Sequence, residues 1–155
     1  MKNRDKALAR LKETLETNGL RMTQQRIEVY LAVAASGCHP CVSEVHEMVR
    51  ENLPTVSLDT VYRTLWKLSE LGLVAPVSSS GDRVRFDAYM RRHHHFVCAR
   101  CGAVYDFDSP SLDEIRIPEE AWSLGCVWNS HMELRGICLG CCNEGGGTEE
   151  GHAEG

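Results

Sequence analysis

Two C-x-x-C pairs, Cys98-Ala99-Arg100-Cys101 and Cys138-Leu139-Gly140-Cys141, fall in the second half of the 155-residue chain. The spacing lets two thiolates of each pair converge on one ion, and four thiolates suit tetrahedral Zn²⁺. Gly102 and Gly140 fit the tight knuckles in which backbone amides turn toward metal-bound sulfurs. The 36 residues between the pairs exceed a zinc ribbon's gap, so a strand-helix-strand insertion is expected to bring the ends together. Buried free cysteines or a redox dithiol are the competing uses of the same residues. Of the remaining cysteines, Cys126 falls in an expected strand and reads as core, and Cys142 is expected to point away from the zinc set. Cys38 and Cys41 read as structural or spare.

A second constellation is His93-His94-His95, at the entry to an expected strand. Strand alternation sends His93 and His95 to one face and His94 to the other. Asp87 upstream and Asp106 in the following strand can add carboxylate oxygens. His39, at the start of the third helix, is a further candidate from the first half. Such N/O donors suit Fe²⁺, Mn²⁺ or Zn²⁺ in a site unlike the thiolate one. A solvated histidine run is the plain alternative.

The elements that must position these groups follow from periodicity and caps. Leu8, Leu11 and Leu15 recur at helical spacing before Gly19. Thr23 can cap a second helix over Gln24–Ala35 with Ile27, Tyr30, Leu31 and Ala34 as its apolar face. Ser43 opens a third helix with Val45, Met48 and Val49 inward, closed by Leu53-Pro54. Ser57 caps a fourth, whose buried stripe is Leu58, Val61, Leu65 and Leu68 and whose other face carries Thr60, Arg63, Thr64 and Lys67. Leu73–Val77 and Arg83–Asp87 read as strands around turn residues 78–82. Helices followed by a hairpin describe a winged helix-turn-helix over residues 1–87. Residues 92–142 read as a small α+β domain, with strands at His95–Cys98, Ala103–Phe107 and Cys126–Leu134. A helix is expected over Leu112–Leu124, which Pro118 must open or break. The Gly- and Glu-rich stretch 143–155 is expected to be disordered.

Charge and cysteine usage narrow the function classes. The net charge of −5 argues against a simple basic nucleic-acid binder. Residues 1–85 nevertheless carry 12 Lys+Arg against 10 Asp+Glu, and residues 86–155 carry 5 against 12. That asymmetry is compatible with a DNA-contacting first half and a metal-attracting second half. The opening residues do not read as an export signal and no apolar run approaches a membrane span, so a soluble, cytoplasmic protein without membrane association is expected. In that compartment eight cysteines favour metal over disulfides. A His/Asp site could also activate water as a metal-dependent hydrolase, but no general base stands out, and the chain is not expected to be an enzyme.

Four motifs, in order, resemble the ferric uptake regulator family across roughly residues 8–142. They are Arg21-Met22-Thr23-Gln24-Gln25-Arg26, Thr60-Val61-Tyr62-Arg63-Thr64-Leu65, the run His93–Gly102, and Gly136-Ile137-Cys138-Leu139-Gly140-Cys141. The resemblance implies a metal-dependent transcriptional repressor, homodimeric through its α/β second domain, binding a palindromic double-stranded DNA operator through its winged helix. It implies structural zinc on Cys98, Cys101, Cys138 and Cys141, and regulatory Fe²⁺ or Mn²⁺ on His39, Asp87, His93, His95 and Asp106. Aspartate at both 87 and 106 is similar to the peroxide-sensing branch, in which iron chemistry oxidises a ligand histidine, here His39 or His93. Glutamates there would suggest iron uptake, and an iron- or zinc-uptake regulator is the alternative. A further family position set finds His94, Asp113 and His131, with Arg92 where a histidine is expected. For DNA, the fourth helix would enter the major groove, with Tyr62 at a thymine methyl and Arg63 at guanine or phosphate. Thr60, Thr64 and Lys67 would position the backbone, and Arg21 would enter the minor groove.

Overall fold

The computed structural model describes residues 2–77, 84–89, 91–127 and 130–144. The chain forms two compact units, Met1–Arg92 and His93–Gly155. The turn expected at 78–82, the strand start at Arg83 and residues 145–155 of the expected tail lie outside the described residues.

The first unit holds α1 (Lys2–Thr17), α2 (Gln24–Ala35), α3 (Val42–Arg50), α4 (Leu58–Glu70), β1 (Ala75–Val77) and β2 (Arg85–Asp87). The caps of two helices are as the sequence indicates. Thr23 accepts the Arg26 amide, and Ser57 accepts the Thr60 amide at 3.1 Å. Each such cap satisfies an amide that the first helical turn leaves without a partner, worth about 1 kcal/mol. Gly72, at φ +67, turns the chain out of α4 while the Leu73 amide reaches back to the Leu68 carbonyl at 2.9 Å.

Helix α2 lies at the centre, packed on α1, α3 and α4. Its deepest residues are Val29, Tyr30 and Val33, not the expected Ile27, Leu31 and Ala34, which are half-buried. Neighbours on several sides widen the apolar face and shift its centre. Helix α3 begins at Val42, one residue before the expected start at Ser43, with Cys41 at the cap position. Val45 and Val49 form the buried seam, and Met48 at its edge is 38% exposed. Leu58, expected in the α4 stripe, is half exposed because it sits in the first turn beyond the reach of the core. Leu11, Leu15, Val61, Leu65, Leu68 and Phe86 complete a continuous apolar cluster. Full burial of each such side chain contributes about 1.5–3 kcal/mol. β1 and β2 close the unit as an antiparallel pair, Ala75 opposite Asp87.

The second unit holds β3 (His94–Cys98), β4 (Val104–Phe107), α5 (Pro110–Asp113), α6 (Glu119–Trp122), β5 (Glu133–Gly136) and α7 (Leu139–Glu144). β3 is central in the order β4-β3-β5, antiparallel to β4 and parallel to β5. The single helix expected over Leu112–Leu124 is instead two short ones. Pro118, lacking an amide hydrogen and disfavouring helical backbone before it, caps α6. The expected strand Cys126–Leu134 is reduced to β5, because pairing with β3 begins only at Glu133 opposite His95. Cys126 lies ahead of that pairing and is exposed, not core. Asn143 and Glu144, assigned to the tail from composition, extend α7 beyond the second cysteine pair. The fold class is α+β, a winged-helix unit followed by a small α/β unit. Among the described residues no helix is long and apolar enough to cross a membrane.

Candidate metal centres

The parallel register that sets Cys98 beside Gly136 delivers the two cysteine pairs to one place. Cys98 ends β3, Cys101 follows a one-turn knuckle, and Cys138 and Cys141 stand at the start of α7. All four Sγ atoms lie within 4.8 Å of one another, with Cys101 and Cys138 3.8 Å apart. Sulfurs about 2.3 Å from a tetrahedral Zn²⁺ are roughly 3.8 Å from each other, whereas a disulfide needs about 2.05 Å. The donor set therefore fits zinc.

Backbone amides prepare these sulfurs for the ion. The Cys101 and Cys138 amides point at Cys98 Sγ, at 3.5 and 3.3 Å, and hold its thiol down to about 6. Gly102, at φ +69, makes the knuckle close. Gly140, by contrast, lies within α7. The Cys138 thiol is also lowered, by the Cys141 amide first and by the Tyr105 hydroxyl second. Cys141 is pushed up to about 12 by burial and by neighbouring thiols, so an ion would displace its proton. Arg100 donates to the Cys141 carbonyl at 2.7 Å, tying one knuckle to the other. Tyr105 and Arg100 carry no motif that sequence reading could have used. Tyr105 is recoverable only from strand register, opposite Phe96. Cys142 points elsewhere, its thiol on the Ile137 carbonyl.

At the other end of β3 a second donor set converges within the same unit. His93 Nε2 and His95 Nε2 are 2.9 Å apart, and Asp106 Oδ1 is 3.5 Å from each. Register explains the carboxylate, since Asp106 on β4 is the direct partner of His95. Donors about 2.1 Å from an ion and at roughly right angles to one another are about 3 Å apart, so the imidazole pair fits a six-coordinate hard cation.

His94 takes the opposite face, as alternation requires. Its Nδ1 accepts the Met132 amide at 3.1 Å, which leaves the ring proton on Nε2, 3.3 Å from Asp113 Oδ1. His94 Nε2 is buried and makes no hydrogen bond among the described residues. His131 packs its ring on His95, with centroids 5.6 Å apart. The structure thus brings His94 and Asp113 together.

In the first unit, His39 and Asp87 are brought together, His39 Nε2 lying 3.8 Å from Asp87 Oδ1. His39 adopts φ +47, a left-handed backbone conformation uncommon outside glycine. What holds it is β2. Arg85 donates to the His39 carbonyl at 2.8 Å and to Glu44 at 3.1 Å, and the Phe86 amide donates to the Pro40 carbonyl at 3.0 Å. Glu44 in turn accepts the Cys41 amide at 2.7 Å. Burial pushes the Glu44 carboxyl up, but Cys41 and Arg85 outweigh it and hold the group below 4.5. Neither Arg85 nor Glu44 was singled out from sequence. Glu44 three residues after Cys41 is the usable signal, a reciprocal cap.

On α4, Tyr62, Arg63 and Lys67 are exposed, and Thr60 and Thr64 are half-buried. Arg63 pairs with Asp59 at 2.9 Å and Lys67 with Glu70 at 2.9 Å. Thr64 donates its hydroxyl to the Thr60 carbonyl at 2.7 Å. Arg21 is exposed ahead of α2, its carbonyl accepting from Arg26.

The ferric uptake regulator family model matches residues 17–131. The peroxide-responsive repressor PerR of Staphylococcus saprophyticus is 30% identical over 128 residues, which cover 83% of this chain and 86% of the relative. Among solved structures, the Campylobacter jejuni peroxide stress regulator is similar with a TM-score of 0.64 and 25% identity, covering 85% of this chain and 96% of its own. The Helicobacter pylori ferric uptake regulator Fur has a TM-score of 0.73 at 23% identity, covering 90% and 93%. The chain belongs to the ferric uptake regulator family.

Proposed function

We propose that the protein is a metal-dependent transcriptional repressor that binds a palindromic double-stranded DNA operator as a homodimer and senses peroxide through oxidation of His39 or His93. The observation that carries this reading is the all-N/O character of the second donor set. His93, His95 and Asp106 converge at 2.9 and 3.5 Å with no thiol among them. Relatives named as peroxide-responsive repressors support the same branch.

In this reading the four cysteines hold structural Zn²⁺. His39 and Asp87 join His93, His95 and Asp106 in sharing one regulatory Fe²⁺ or Mn²⁺. Their nitrogens and carboxylate oxygens suit a hard divalent cation. A ferrous ion held there would supply one-electron chemistry that activates peroxide, while overall the two electrons that reduce the peroxide would come from the ring itself. The histidine ring gains one oxygen atom, and the other peroxide oxygen leaves as water. An oxidised ring would hold the ion less well, and loss of the ion would end repression. Ion binding raises DNA affinity to the extent that the DNA-competent arrangement binds the ion better.

The α4 face carrying Thr60, Tyr62, Arg63, Thr64 and Lys67 would enter the major groove, and Arg21 the adjacent minor groove. The Arg63–Asp59 pair is solvent-exposed, so exchanging Asp59 for a phosphate or guanine costs little.

The test is peptide mass spectrometry of Fe²⁺-loaded protein after low peroxide, against a Mn²⁺-loaded control. One added oxygen on the His39 or His93 peptide, with iron only, is expected. Unmodified histidines in protein whose DNA binding still requires the metal would instead indicate a metal-uptake regulator.

A further inference from the structure

We infer that Trp66 is a positioning residue that carries the state of the His39–Asp87 pair to the Tyr62 side of α4. The inference rests on the proposed reading of these residues as metal-linked and DNA-facing, and every contact in it lies within the first unit. Tyr62 and Trp66 are one helical turn apart, with ring centroids 6.2 Å apart and planes at 66°. Trp66 meets Phe86 in turn at 5.8 Å and 81°. Both are edge-to-face contacts, the geometry favoured by the ring quadrupole. Phe86 is fully buried and immediately precedes Asp87, and its amide donates at 3.0 Å to Pro40, the neighbour of His39. Any change in the spacing between His39 and Asp87, now 3.8 Å, is therefore applied across the segment that seats Phe86.

Trp66 is suited to follow that movement. Its Nε1–H is buried and has no acceptor among the described residues. An indole usually finds an acceptor when buried. With none, the ring is held by packing alone, between Phe86 on one side and the half-exposed Tyr62 on the other. Moving with Phe86 breaks no hydrogen bond, and the movement is delivered to Tyr62, the aromatic group on the face proposed to read bases. A core role alone would predict a ring that stabilises the unit and affects metal-free and metal-loaded DNA binding equally.

The experiment compares wild type, Trp66→Leu and Trp66→Phe as full-length, zinc-containing protein. The probe is a duplex selected by metal-loaded wild type from a randomised pool, and the readout is the ratio of metal-free to Mn²⁺-loaded Kd at fixed salt. Coupling between sites is typically about 5- to 150-fold. Trp66→Leu should lower the wild-type ratio at least about threefold, and Trp66→Phe, which keeps an aromatic edge, should restore most of it. Direct Mn²⁺ titration and thermal melting establish that each variant binds metal and is folded. A Trp66→Leu protein whose two affinities fall together, leaving the ratio at the wild-type value, would overturn the inference. A wild-type ratio of one would overturn the metal-dependent reading itself, and the relay with it. If Trp66→Leu does not fold, Trp122→Phe/Trp128→Phe protein leaves Trp66 as the sole tryptophan. Its emission should then shift on titration with Zn²⁺ at the His/Asp donors, and a constant spectrum at saturation overturns the relay.

Discussion

Removing zinc from the cysteine centre should unfold the second unit and leave the first standing. The two units are built from different materials. The first has a continuous cluster of leucines, valines and Phe86 gathered around α2. The second gathers its buried cluster from Cys98, Cys138 and Cys141, with Phe96 and Ala103 packed against them. Beyond that cluster Val97 and Val104 are buried, and each contributes about 1.5–3 kcal/mol. Structural zinc contributes about 10–16 kcal/mol in zinc-finger peptides near pH 7, comparable with the whole stability of an ordinary domain at about 5–15 kcal/mol. Among the described residues, the buried Val97 and Val104 contribute less than that. Hydrogen exchange read by mass spectrometry, before and after a strong chelator, separates the two units in one sample. Amides of β3 and β5 should lose their protection, while those of α2 and α4 keep theirs. Persistence of β3 and β5 protection in protein shown by elemental analysis to be zinc-free would refute the assignment of the ion as the core of this unit.

Three further outcomes are expected. Asp106→Asn keeps the shape of a side chain at the strand surface and should weaken Mn²⁺ binding by at least about tenfold with little change in melting temperature, as measured by calorimetry. Arg63→Ala should weaken duplex binding by about 1–3 kcal/mol at fixed salt, with zinc content and oligomeric state unchanged; unaltered affinity would remove α4 from the groove. Glu44→Gln should lower stability at neutral pH by about 0.5 kcal/mol, a small value because the carboxylate is partly exposed. The folded carboxyl is held below 4.5, so its contribution is complete above that value and is lost as pH falls through the lower folded value. The melting difference between variant and wild type should therefore shrink as pH falls through the lowered folded value.

Much of the first unit was legible because its signals are local. Thr23 and Ser57 announce helices from a hydroxyl and the amides that follow, and no distant residue is needed to read them. Which apolar residues go deepest is settled by neighbours far away in sequence. That is why the α2 face centres on Val29 and Val33, and why Met48 and Leu58 remain exposed. The cysteine centre was legible from spacing, and Asp106 from its place on the strand after the histidines. Less visible was the means of support. His39 is held in a left-handed backbone by Arg85, 46 residues away, and no local pattern predicts that contact. The second unit defeated periodicity where its elements are shortest. Pro118 divides a helix, and the register with β3 begins only at Glu133.

β3 spans only His94–Cys98, yet the groups at its two ends belong to the two donor sets. His95 and Cys98 are three residues apart, roughly 10 Å along the strand. A short, stiff element shared in this way would make two ions bound at these sets partners in a linked equilibrium. In the proposed reading, whatever zinc contributes to holding the register of His95 against Asp106 the regulatory ion would return as tighter zinc binding, because linkage between binding free energies is reciprocal. A cell short of one metal would then find the protein's hold on the other altered by the same factor.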